Sequence, residues 1–257
     1  MNISVVIPVS SLVPESVPAR LETLQFALRD LYRNVEVIVV EQSLDGTVYF
    51  LPMIEKCTKI ELHHPVFNKG WCLNVGVDAA QYEYVIVADC DMYTRNYDFS
   101  MLLYWMKSNR HEWAFAWNRL IYTNREQRTK IIDGNMMPGL TYCTPTPGYA
   151  EGGMVCIKKD FYRKVGKTNE CMIELGGIDN EFIARCKFLS DGQYPMYPIT
   201  IYHLVHPQRK KSSRPSRKKN ISILKKSRQD FIASIDWLCR QKQGSSTPLS
   251  DRKDFLE

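Results

Sequence analysis

Three short apolar runs set the limits on what this chain can fold into: ISVVI over residues 3–7, VEVIVV over 35–40 and YVIVA over 84–88. Each is rich in β-branched side chains and lacks the strict apolar–polar alternation of a half-exposed strand. Each therefore reads as a strand buried on both faces. Between the first two, Arg20–Tyr32 places Leu21, Leu24, Ala27, Leu28 and Leu31 at helical spacing. A short strand over Lys59–Leu62 and a helix over Gly70–Ala80 precede the third run. Buried strands alternating with helices specify parallel βαβ units whose sheet is covered on both sides, an α/β fold of Rossmann-like pattern. The first strand, stopped by Pro8, is not followed by G-x-G-x-x-G, which excludes a dinucleotide fingerprint.

The ends of the runs carry the chemistry. In open α/β sheets ligands bind outside the carboxyl ends of the strands, and these runs end in Pro8-Val9, Glu41-Gln42 and Asp89-Cys90-Asp91. A D-x-D on extended backbone presents two carboxylates from similar depth around one small residue. Such hard oxygen ligands suit Mg²⁺ or Mn²⁺, and through the cation a diphosphate; the same pair also makes an ordinary solvated strand-to-loop cap. "YHLVHP" sets His203 and His206 three apart at the end of a later strand, either as metal ligands or as ordinary histidines. "ELGGIDNEF" surrounds two glycines with Glu174, Asp179 and Glu181 just before a helix, which suits an N-terminal cap or a general base beside a close ligand approach.

The remaining segments are less regular. Residues 122–149 are polar, then rich in Pro, Gly and Thr, and read as a long connection of the kind that is either a functional lid or disordered. A strand over 152–157, a short helix over Lys159–Val165, a helix over Ile178–Leu189 and a closing strand in "YPMYPITIYHLVHP" follow. Ile221–Cys239 has helical periodicity, and the chain from Ser245 on is polar and reads as frayed. The eight cysteines form no C-x-x-C pair and read as reduced, mostly buried thiols. Charge is concentrated. Between Pro207 and Gln229 stand ten Lys or Arg and no acid; setting them aside leaves 24 basic residues against 28 acidic, a balance of −4 in a chain of net charge +6.

In this order the pieces resemble the metal-dependent inverting glycosyltransferases of GT-A fold. They are most similar to the β-1,4-galactosyltransferase-like branch, with the broader family 2 pattern at the N-terminus. The segments that carry the resemblance are "FNKGWCLNVG", "ADCDMY", "EGGMVCIKKDFYRKVGK", "GGIDNEF" and "HLVHP", within a stretch from about Ile3 to Pro207. The resemblance implies a GT-A nucleotide-sugar-binding sheet with a fused acceptor-binding half and a basic C-terminal extension. The boundaries are a domain over 1–206, with halves 1–95 and 96–206, a basic, partly helical extension over 207–244 and a polar tail over 245–257.

It further implies that Pro8, Val9, Glu41 and Gln42 hold the uracil and ribose of a UDP-sugar, that Asn68 and Lys69 seat the donor, and that Asp89 faces the ribose and metal side. Asp91 and His206 become ligands of Mn²⁺ or Mg²⁺, with His203 as a third. Asp179 becomes the catalytic base, Gly153 meets the donor sugar, and Gly176, Gly177, Asn180 and Glu181 face the acceptor. The branch's tryptophans before Gly-Gly are replaced by Ile173 and Leu175, and Ile178 replaces an acid that grips sugar hydroxyls, so the acceptor site departs from that branch.

The expected reaction is a single displacement moving a hexose from UDP to a hydroxyl of a saccharide or lipid-linked acceptor, with the 122–149 connection as the candidate for a lid over the donor. The basic 207–229 segment leaves two other partners open, an anionic membrane and, for an enzyme acting on hydroxymethylated bases, DNA. With no basic n-region and no apolar run of membrane length, the chain reads as cytoplasmic, with peripheral membrane contact allowed. Two rival classes are a nucleotidyltransferase, which needs a Gly-rich basic loop where "PVSSLVPES" stands, and a non-catalytic nucleic-acid-binding module, which leaves the ordered carboxylates without a purpose.

Overall fold

The computed structural model describes residues 2–31, 35–94, 99–135, 144, 151–174, 176–206, 214–241 and 243–249. The apolar runs form the centre of a six-stranded sheet. β1 (Ile3–Ser10) lies between β2 (Glu36–Ser43) and β4 (Tyr84–Ala88), and β3 (Thr58–His63) closes one edge beside β2, all four parallel. β8 (Met154–Lys158) runs antiparallel to β4, and β6 (Trp113–Phe115) lies outside it, giving the order β3-β2-β1-β4-β8-β6. β1 is buried at all eight positions, Ser4 and Ser10 included, as a central strand covered on both faces requires, whereas edge strand β3 has no fully buried position.

β1 does not stop at Pro8. Its pairing with β4 ends at Val6, while its pairing with β2 continues to Ser10. Pro8 therefore sits where the strand has a neighbour on one side only, and a residue without an N–H is accommodated.

α1 (Val17–Leu31) and α2 (Lys69–Ala79) provide the crossovers. α2 lies close enough to the sheet that a Cβ at Gly76 would stand 2.4 Å from a Val6 methyl and 3.0 Å from one of Val40, so only glycine permits this approach. α3 (Phe99–Ser108) follows, with Phe99, Leu102 and Met106 buried. A second sheet of three strands has β9 (Thr200–His203) at its centre, antiparallel to β5 (Met92–Tyr93) and parallel to β7 (Arg119–Tyr122).

The long connection expected over 122–149 contains α4 (Arg125–Ile132), started by a capping box between Asn124 and Gln127; residues 136–143 and 145–149 of that expected lid lie outside the described residues. α5 (Lys159–Lys164) and α6 (Ile178–Leu189) complete the second half.

The single helical stretch expected over Ile221–Cys239 is two helices, α7 (Arg214–Gln229) and α8 (Phe231–Arg240). Asp230 breaks them apart by capping α8, its side chain accepting from the Ala233 N–H. The tail also departs from a frayed end as far as 249. The buried Glu170 carboxylate accepts from the Gly244 and Leu249 N–H groups, Trp71 Nε1 donates to the Ser245 carbonyl, and Leu249 is buried. In these three bonds the tail contributes backbone groups, two N–H donors and one carbonyl acceptor, so its polar side chains do not announce the attachment.

Glu181, expected at the acceptor, is instead part of the scaffold. It is 1% exposed, takes a bidentate pair from fully buried Arg185 at 2.9 and 2.8 Å, and accepts from Ser227 of α7 at 2.9 Å. Arg185 also donates to the carbonyls of Val165 and Lys167. Arg185→Ala leaves the carboxylate buried with one hydroxyl partner, and the expected loss is about 3–5 kcal/mol of unfolding free energy by urea titration. A loss under about 1 kcal/mol would mean that water reaches the pair.

Candidate active site

Strand register builds the site. β4 ends at Ala88, the Asp89 N–H donates to the Gly153 carbonyl at 2.8 Å, and the chain turns into β5. β5 pairs Met92 with His203 of β9, and the Leu204 N–H donates to the Asp91 carbonyl at 2.9 Å. Two segments more than a hundred residues apart are thereby held side by side. His206 Nε2 lies 2.8 Å from Asp91 Oδ2 and His203 Nε2 3.7 Å from the same oxygen. One ligand atom from each of the three lies within 4.8 Å of the others.

Burial works against a charge on Asp91, but the hydrogen bond from His206, both imidazoles and Arg20 outweigh it and hold its carboxyl well below the usual range. Its other oxygen, Oδ1, is buried without a hydrogen-bond partner. An orphaned carboxylate oxygen beside two imidazoles fits a divalent cation.

The second half of the site is a three-membered charge cluster. Lys69, at the start of α2, places Nζ 2.7 Å from Asp89 and 2.9 Å from Asp179. Burial disfavours its charge, yet Asp179 and Asp89 more than compensate and push its pKa above the ordinary lysine value. Burial raises the Asp89 pKa; Lys69 opposes the rise, and Asp179 and Asp91 add to it.

Asp179 sits in the first turn of α6, a favourable place for a carboxylate, after Gly177, whose positive φ of 84° suits glycine. A Cβ at Gly152 would stand 3.0 Å from Asp179 Oδ2, so this glycine makes room for the carboxylate. Lys69, Asp89, Gly152, Gly153 and Asp179 line a narrow crevice that continues from a cleft of about 190 Å³, whose walls include Pro8, Val9, Arg20, Asp91, Gly176 and Asp179.

Other expected donor contacts are drawn into the walls. Glu41 is fully buried and accepts from the N–H groups of Tyr49, Phe50 and Leu51 and from the Ser11 hydroxyl. Gln42 donates to the carbonyls of His64 and Val66 and accepts from the Asn68 N–H. Asn68 caps α2 through the Trp71 N–H and donates to the Glu170 carbonyl. These three shape the loops around the cleft. Asn180 likewise donates to Glu151 at 2.7 Å.

The sequence profile described as glycosyl transferase family 2 matches residues 4–166. The chain belongs to that family. No curated protein sequence matches it. Among solved structures, S. aureus TarS is similar over 93% of this chain and 42% of its own, with a TM-score of 0.54 and 14% identity. A GalNAc-T7 structure described with UDP, GalNAc and Mn²⁺ covers 88% of this chain and 48% of its own, at 0.54 and 12%. This family 2 glycosyltransferase thus spans less than half the length of either neighbour, and at such identities the likeness is one of fold, GT-A.

Within the family 2 enzyme, Arg20 is the cleft residue that sequence reading missed. It lies at the N-terminal part of α1, lines the cleft with Asp89 and Asp91, and has Nε buried without a hydrogen-bond partner. An arginine near the start of an amphipathic helix gives no local signal, because only the packing of α1 against the D-x-D turn reveals where it points.

Proposed function

We propose that this cleft binds a UDP-hexose together with Mn²⁺ and transfers the sugar, with inversion, to a hydroxyl of a saccharide acceptor, free or lipid-linked. The observation that carries the reading is the meeting of Asp91 with His203 and His206, where Asp91 lines the same cleft as the Lys69–Asp179 pair. A mixed carboxylate–imidazole set favours Mn²⁺ over Mg²⁺, which prefers oxygen ligands. Asp91, His206 and His203 hold the cation, which when bound neutralises charge on the leaving diphosphate. Pro8 and Val9 flank the nucleoside, and Gly153 leaves space beside the sugar. Arg20 directs its unpartnered guanidinium nitrogen to the diphosphate.

Lys69 is shared between Asp89 and Asp179 in the donor-free state. A diphosphate seated beside it draws the ammonium away from Asp179 and leaves that carboxylate free to accept the proton of the attacking hydroxyl. One base at one face of the sugar suffices for a single displacement.

The test is UDP release from UDP-glucose, UDP-galactose and their N-acetyl forms, each with and without Mn²⁺, followed by the anomeric configuration of the product. Cation-dependent release identifies the donor; no release from any of them overturns the reading, and a retained configuration overturns the single displacement. Arg20→Ala should raise the KM for the UDP-sugar about tenfold or more, the worth of a hydrogen bond between charged groups. An unchanged KM would remove Arg20 from the donor site.

A further inference from the structure

Four of the seven basic residues of α7 share one side of the helix with an exposed isoleucine, while Lys219 and Lys226 lie on the opposite side. Arg217, Lys218, Ile221, Lys225 and Arg228 fall within an arc of about 100° at 3.6 residues per turn, and all five are exposed. Another side of the helix carries Ser216, Asn220 and Ser227, which are buried. α7 contains no acidic residue, and among the described residues none of these four cations is engaged in an ion pair.

The buried side of α7 braces the helix to the Gly176 wall of the cleft. Asn220 donates to the carbonyls of Ile173 at 2.8 Å and Gly176 at 3.2 Å, and Gly176 lines the cleft. Ser227 donates to Glu181, two residues beyond Asp179 on α6.

We propose that this face of α7 docks the enzyme on an anionic lipid membrane. Four cations along roughly 16 Å of helix complement an anionic headgroup layer. Ile221, 45% exposed in the middle of them, matches the apolar contact that an interfacial helix makes at the headgroup–acyl boundary. Grooves for single-stranded nucleic acid place aromatic side chains among their cations, and contacts to a duplex backbone are made by charged and polar groups, whereas this stripe centres on an exposed isoleucine. The docking stands independently of the UDP-sugar reading. Its consequence, that the acceptor hydroxyl is presented from the membrane as a lipid-linked saccharide, rests on that reading.

The experiment is co-sedimentation of the full chain with vesicles of phosphatidylcholine alone and of phosphatidylcholine mixed equally with phosphatidylglycerol, and with duplex DNA as competitor. Partition should favour the anionic vesicles by about tenfold or more and fall by a similar factor in the Lys218→Glu, Lys225→Glu double variant. Ile221→Ser should weaken vesicle binding several-fold, and neither variant should alter UDP release in solution. Equal partition onto neutral vesicles, or no effect of the charge reversals, overturns the proposal. Duplex DNA that strips the protein from vesicles, with Ile221→Ser without effect, overturns it in favour of a nucleic-acid surface. Vesicle binding without UDP release from any donor supports the docking and counts against the UDP-sugar reading alone.

Discussion

Asp179→Asn is expected to lower sugar transfer by about 10²–10⁴-fold, the range that a positioned general base supplies, while UDP affinity stays within about twofold. The amide matches the carboxylate in size and still fits against Gly152, but it cannot take the proton of an attacking hydroxyl. Lys69 retains Asp89 at 2.7 Å, so the charge at the head of α2 does not lose its last partner. Initial rates with the productive donor, together with calorimetric titration of UDP, separate the two effects. Transfer within tenfold of the parent enzyme would remove Asp179 from the role of base. Loss of UDP affinity along with transfer would make it a donor-site residue.

Asp91→Asn should abolish the cation dependence. The substitution removes the charge that organises both imidazoles and the orphaned anionic oxygen in the same step. Loss of charge neutralisation at a departing diphosphate is worth several kcal/mol, on the order of 10³-fold in rate. Direct Mn²⁺ titration and thermal unfolding read the change without relying on catalysis. Mn²⁺ should raise the Tm of the parent protein through binding linkage and leave that of the variant unmoved. A parent Tm indifferent to Mn²⁺ would mean that the Asp91–His203–His206 cluster is a hydrogen-bonded brace rather than a cation site.

Much of this site was legible before any coordinates. Asp91, His203 and His206 were each read from the sequence as standing at a strand end; what brings them together is the pairing of β5 with β9 in the second sheet. The resemblance gave Lys69 to the donor and Asp179 the role of base as separate residues, and the structure joins them at 2.9 Å.

What the sequence could not give was the direction of each side chain. Glu41, Gln42 and Asn68 sit at the right strand end or loop, yet each is spent on backbone groups of a neighbouring loop. Glu181 stands two residues from Asp179, but the helical turn carries it away from Asp179 and into the bidentate pair with Arg185. In the chain, a carboxylate that stabilises a loop and one that faces a ligand look the same.

The same division runs through the fold. Apolar period and β-branching determined, by sequence alone, that β1, β2 and β4 are buried parallel strands and that α1 and α2 cross between them, because burial on both faces leaves no polar alternation. The cluster of basic residues before and within α7 was equally plain. Only tertiary structure decided that β1 runs on past Pro8, since that depends on where β4 ceases to pair. It likewise decided that the tail to 249 is fastened by a buried glutamate, that Arg20 enters the cleft, and that four cations of α7 share one exposed arc on a helix braced to the Gly176 turn by Asn220. Local pattern reports which elements form; which groups meet is set by contacts between residues far apart in the chain, and no window of sequence contains both partners.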